Sequence, residues 1–121
     1  MNRSKAKGTA AESAVRDEAL GRGFAAVRVA QAGTADHGDV WIAHGRVVVE
    51  VKAGDAAHTA SLNQIRAWYA EANTEAARVP QADMAVLVVK RKGTQQAREW
   101  RAFTSLADYA HVMGRGEPYP L

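Results

Sequence analysis

The sequence contains no cysteine, which excludes a disulfide framework, a thiolate nucleophile and a cysteine-based zinc site together. Its four histidines, His37, His44, His58 and His111, show no paired ligand spacing along one helix or strand, so they read as turn, surface or core residues. No apolar stretch approaches the roughly 20 residues that span a bilayer. The basic opening from Met1 to Lys7 lacks the apolar run of a signal peptide. The expectation is a soluble, cytoplasmic protein without a membrane partner. No repeat or low-complexity linker marks a boundary, and 121 residues that are 47% apolar can bury a core of their own. One domain over 1–121 is expected, with a basic N-terminal segment at 1–8 and an irregular tail at 114–121.

The net charge of +3 says less than its distribution. Arg3, Lys5 and Lys7 precede the first acid, Glu12, and Lys90, Arg91 and Lys92 form a second cluster. Two basic segments suit a polyanion, yet solvated termini and loop tips have the same composition. The clusters therefore support a nucleic-acid reading only where other features require it.

Thr9 to Leu20 reads as a helix, with Ser4 or Thr9 as cap, Gly21 and Gly23 as terminators, and Ala11, Val15 and Ala19 as an apolar stripe. Glu12 borders that stripe, either looking inward along its edge or favouring the helix dipole from the first turns. A strand over Phe24–Ala30 and a loop over Gln31–His37 lead to a hairpin. The polar turn Ala53–His58 then precedes a helix from Thr59 to Ala77, with Leu62, Ile65, Trp68 and Tyr69 as its apolar positions and Pro80 beyond its end. Asp83–Lys90 reads as a central strand covered on both faces, Arg98–Phe103 as a further strand, and Ser105–Met113 as a helix with Leu106, Tyr109 and Met113 on one side. The order predicts an α/β fold, a mixed sheet of about five strands flanked by helices.

The hairpin, Gly38 to Lys52, carries the chemistry. His44-Gly45 is a two-residue turn between runs rich in Val, Ile and Trp. If Ala43 pairs with Arg46, Ile42 meets Val47, Trp41 meets Val48, Val40 meets Val49, and Asp39 falls opposite Glu50. Directly opposed side chains lie about 4.5–5.5 Å apart at Cβ, where like charges destabilise a sheet unless neutralised. Alternation puts Lys52 on the face of Glu50 and turns Val51 into apolar packing. A structural Lys52–Glu50 ion pair is one reading, but it leaves Asp39 unexplained. The other is an oxygen-ligand site for Mg²⁺ or Mn²⁺, with Glu12 reaching in from the first helix and Lys52 placing an ammonium beside the developing charge on a phosphate.

Gly38-Asp39 followed by Glu50-Val51-Lys52 resembles the PD-(D/E)xK nuclease signature, with Gly in place of the motif's Pro. Lys7-Gly8-Thr9-Ala10-Ala11-Glu12, then Gly23-Phe24 and Arg28, is similar to the opening of the archaeal-type Holliday junction resolvases of that superfamily. The likeness covers about the first two-thirds of the chain. It implies a restriction-endonuclease-like core, a metal site of Glu12, Asp39, Glu50 and the Val51 carbonyl, Lys52 as catalytic amine, and phosphate contacts from Arg28 and the basic N-terminal segment. Gln64 lies where RecB-like members carry Gln-x-x-x-Tyr, but Trp68 stands four residues on and Tyr69 five. Gln64 either orients the site or lies on a polar helix face, and Trp68 and Tyr69 read as core. The expected function is Mg²⁺-dependent cleavage of branched DNA, four-way junctions foremost, by a homodimer whose two-fold symmetry supplies two cuts. The alternatives are a RecB-like or repair-type nuclease on linear, flap or single-stranded DNA, and a non-catalytic nucleic-acid-binding subunit.

Overall fold

The structure is a computed structural model that describes residues 3–30 and 35–115, with side chains described over 8–30 and 35–114. Helix α1 (Arg3–Gly21) is followed by β1 (Ala26–Arg28), β2 (Val40–Ile42) and β3 (Val47–Lys52). A short α2 (Asp55–His58) and the long α3 (Leu62–Ala77) lead to β4 (Met84–Val89), a 3₁₀ turn (Ala97–Glu99), β5 (Arg101–Phe103) and α4 (Leu106–Arg115). The strands form one sheet in sequence order, antiparallel throughout except for the parallel β3–β4 pair, which α3 connects. The α/β class and the mixed five-strand sheet are as the element order predicts.

Helix α1 begins at Arg3, six residues before the expected start, because Lys5-Ala6-Lys7 are good helix formers and Gly8 weakens the helix without ending it. Gly23, at φ 92°, closes it, with the amides of Gly23 and Phe24 bonded to the carbonyls of Leu20 and Ala19. That left-handed step after the last turn is one that glycine takes without strain. Ala11, Val15 and Ala19 are buried as expected, Ala11 and Val15 packing on the sheet face of Val40, Val49 and Val51.

The helix expected over Thr59–Ala77 starts at Leu62, and the short α2 forms within the stretch expected as a polar turn. Ser61 sets the start of α3 because its hydroxyl accepts the Gln64 amide at 3.1 Å, an N-cap. Leu62, expected in the core, is 77% exposed, and Ile65 is the first buried residue of α3. Ile65 is buried, and Trp68 and Tyr69 pack beside it on Leu87 and Val89. Strand β4 is buried at Ala85, Leu87 and Val89 on the α3 face. Its other face is not fully covered, contrary to expectation: Val86 and Val88 are half-buried and line an apolar groove of about 640 Å³ with Val15, Phe24 and Val112. Strands β1 and β5 have three residues each, shorter than expected: β1 pairs only with the three residues of β2, and the chain before β5 coils into the 3₁₀ turn. Helix α4 runs to Arg115, so 114 and 115 are helical and not part of an irregular tail. Gln31–Thr34 of the expected loop and 116–121 lie outside the described residues. No helix among the described residues is long and apolar enough to cross a membrane.

Candidate functional site

The turn that sets the register is built by backbone conformation. His44 and Gly45 lie at φ 60° and 87°, the two positive values a type I′ turn requires, and the Arg46 amide closes it on the Ala43 carbonyl at 3.3 Å. The pairs Ile42–Val47, Trp41–Val48 and Val40–Val49 follow as the spacing predicts.

At Asp39 the strand leaves the ladder. Its amide still reaches the Val49 carbonyl at 2.9 Å, but its own carbonyl accepts from Val29, and its carboxylate Oδ2 takes the Val51 amide at 2.8 Å. A side-chain oxygen thus occupies the place of a ladder carbonyl and fixes the carboxylate beside Glu50. Gly38 makes the departure possible. Its φ of 92° is closed to proline, whose ring holds φ near about −65°, and a Cβ there would meet Val48 Cγ1 at 2.5 Å. The glycine at this position therefore has a backbone reason.

Glu50 is 3% exposed. Burial, with the carboxyls of Asp39 and Glu71 against it, pushes its carboxyl far above the usual carboxylate range despite the neighbouring Lys52. Lys52 Nζ lies 3.4 Å from Glu50 Oε2 and 3.4 Å from Glu71 Oε1 on α3, and 5.6 Å from the centre of the Trp68 ring. Burial alone disfavours the ammonium, but Glu50 and Glu71 outweigh it and raise the Lys52 pKa. The group is held charged, suited to facing a negative oxygen and not to acting as a base. Glu12, half-buried on α1, pairs with Arg28 Nη2 at 3.4 Å. Its carboxyl is raised first by burial and then by the charge of Asp39.

Glu12, Asp39, Glu50 and Lys52 thus belong to one neighbourhood where β2 begins and β3 ends. Val51 turns its side chain into the α1 core, while its N–H, and with it the C=O on the same strand edge, faces the Asp39 side. Gln64 is exposed in the first turn of α3, about 10 Å along the helix from Glu71 at 1.5 Å per residue. Lys90 donates its amide to the Lys52 carbonyl at 2.9 Å, so the turn with exposed Arg91 and Lys92 leaves the sheet at the same end as Lys52. Lys90 Nζ itself bonds Gln95 at 3.0 Å and lies 5.4 Å from the Trp100 ring. Arg3, Lys5 and Lys7 fall in the first turns of α1, with side chains outside the described residues.

Three acids escaped the sequence reading. Glu71 and Glu75 come from α3, and Asp36 from the segment before Gly38. Asp36, Glu50 and Glu75 each place a carboxylate oxygen within 4.8 Å of the others. Glu75 is 2% exposed, and burial followed by Asp36 raises its carboxyl well above the usual range. One signal was visible: Glu75 follows Ile65 and Ala72 along the buried stripe of α3, an acid where an apolar residue is the rule. Asp36 carries no such signal.

No family model, curated protein or solved structure matches the chain.

Proposed function

We propose that the chain is a metal-dependent endonuclease that hydrolyses phosphodiester bonds in branched DNA, four-way junctions foremost. The observation that carries this reading is the juxtaposition of Asp39, Glu50 and a charged Lys52 at one end of the sheet, with Glu12 entering from α1. Four carboxylates, those of Glu12, Asp39, Glu50 and Glu71, face two cations, Lys52 and Arg28. Carboxylates held together in this way need a proton or a metal between them. The donor set is all oxygen, which suits Mg²⁺ or Mn²⁺ and not a softer ion. Glu12, Asp39, Glu50 and the Val51 carbonyl are the residues that would hold it, and the bound ion would polarise a phosphate and lower the pKa of a water.

The remaining chemistry belongs to the chain. Lys52 presents its ammonium to the negative charge that grows on the phosphate oxygens as water attacks. The Val51–Asp39 hydrogen bond holds one acid still, and Trp68 restrains the lysine stem. Arg28, Arg91 and Lys92, with Arg3, Lys5, Lys7 and Lys90, supply sequence-independent attraction to the DNA backbone. A homodimer would present two sites to a junction. The face of α4 is available for it, with Leu106 81%, Tyr109 52% and Met113 36% exposed.

The test is incubation with labelled four-way junction, flap, linear duplex and single-stranded DNA, in Mg²⁺ and in EDTA, with Glu50→Ala as control. Paired, Mg²⁺-dependent nicks at the junction that the variant lacks are expected. Degradation of linear or single-stranded DNA would replace this reading with a RecB-like one, and binding without cleavage would make the protein an accessory subunit.

A further inference from the structure

We infer that Asp36, Glu50 and Glu75 form a divalent-cation site of their own, separate from the position that Glu12 and Asp39 serve and sharing only Glu50 with it. The three carboxylate oxygens lie within 4.8 Å of one another. Oxygens bound to one hard cation lie between about 3 and about 5 Å apart, given metal–oxygen distances of about 2.0–2.6 Å. Glu75 Oε1 is a second, independent pointer. It is buried without a hydrogen-bond partner, on a residue 2% exposed, beside the carboxyl groups of Asp36 and Glu50. A buried carboxyl oxygen without a partner is costly, and a cation bound by the three carboxylates would satisfy it.

The fold brings the three together from separate elements: Asp36 from the segment entering β2, Glu50 from β3 and Glu75 from the last turns of α3. Arg78, the C-cap of α3, clamps the first to the last by donating Nη1 to the Asp36 carbonyl at 2.8 Å. A cation here ties the crossover helix to the hairpin and sets the side of Glu50 that faces away from Lys52. The inference concerns cation binding and does not require that the chain cleave DNA.

The experiment is calorimetric titration of the metal-free protein with Mn²⁺ and with Ca²⁺, alongside Mn²⁺ electron paramagnetic resonance, for the wild type, Glu75→Gln, Asp36→Asn and, as control, Asp17→Asn at an exposed acid on α1. Binding to the wild type that falls at least about tenfold in Glu75→Gln and Asp36→Asn, and less than about threefold in Asp17→Asn, is expected. Two variants guard against one that fails to fold, with circular dichroism as the check. Identical titrations for the wild type and a folded Glu75→Gln overturn the site, as does a wild type that binds neither ion up to about 10 mM, beyond the range of weak protein sites. A Glu75-dependent site in a protein that cuts no DNA leaves this inference standing and removes the nuclease reading. Cleavage that survives with unchanged binding in both variants does the reverse.

Discussion

The Asp39 carboxylate accepts the backbone N–H of Val51 at 2.8 Å, so the strand that carries Glu50 also positions the acid beside it. Two consequences separate by substitution. Asp39→Asn keeps an oxygen acceptor for that amide, whereas Asp39→Ala leaves it without one, a loss of about 1–3 kcal/mol. Both should abolish Mg²⁺-dependent cleavage, but only the alanine variant should lower the denaturant midpoint appreciably. Equal midpoints would show that the hydrogen bond contributes little to the fold.

Lys52 should act on the chemical step. Lys52→Met keeps the stem against Trp68 and removes the ammonium, so DNA binding should change little while the single-turnover cleavage rate falls about 10²–10³-fold. A loss confined to binding would reassign Lys52 to backbone attraction.

Glu12, Glu50 and Glu75 all have carboxyls raised above their usual values, with burial the largest cause in each. The folded, metal-free chain therefore retains protons that the unfolded chain releases near about pH 4–5. The native state binds more protons, so stability is greatest below that range and is lost as pH rises through the folded values. The melting temperature in EDTA should decline from about pH 5 toward pH 9. Glu50→Gln, which resembles the protonated acid, should flatten that decline and raise the value at pH 8 by about 4 °C or more. A melting temperature that climbs with pH in the wild type would contradict the assignment of burial as the dominant cause.

Gly38 should tolerate no side chain. At φ 92° an L-residue is strained by roughly 1–2 kcal/mol, and a Cβ would meet Val48 Cγ1 at 2.5 Å. Gly38→Ala should destabilise by about 2 kcal/mol or more, and Val48→Ala in the same chain should recover the steric part but not the backbone part. Strict additivity of the two variants in urea unfolding would mean that the contact does not exist.

Leu106 is 81% exposed, so Leu106→Asp should leave the thermal transition within about 0.5 kcal/mol of wild type. If α4 forms the dimer, sedimentation should shift from dimer to monomer mass. An unfolded variant would place Leu106 in a core after all, and an unchanged dimer would move the interface elsewhere.

The hairpin was legible because alternation and turn geometry are local. Once His44-Gly45 set the turn, period two paired Ile42, Trp41 and Val40 with Val47, Val48 and Val49, which brings Asp39 to the end of the ladder beside Glu50. The α1 stripe of Ala11, Val15 and Ala19 was legible for the same reason at period 3.6. Leu62 was misread because periodicity finds the apolar face of a helix but not where the partner surface stops. Val86 and Val88 were misread because a run of apolar residues does not reveal whether both faces of its strand receive a helix.

The sequence by itself determined the α/β class, the hairpin register and the Asp39, Glu50 and Lys52 constellation, since each depends on residues close in the chain. Only the tertiary structure decided that α3 returns to deliver Glu71 to Lys52 and Glu75 to Asp36 and Glu50. Contacts across a β–α–β crossover depend on how far the helix slides and turns over the sheet. The whole packed core sets that position, and no local periodicity encodes it.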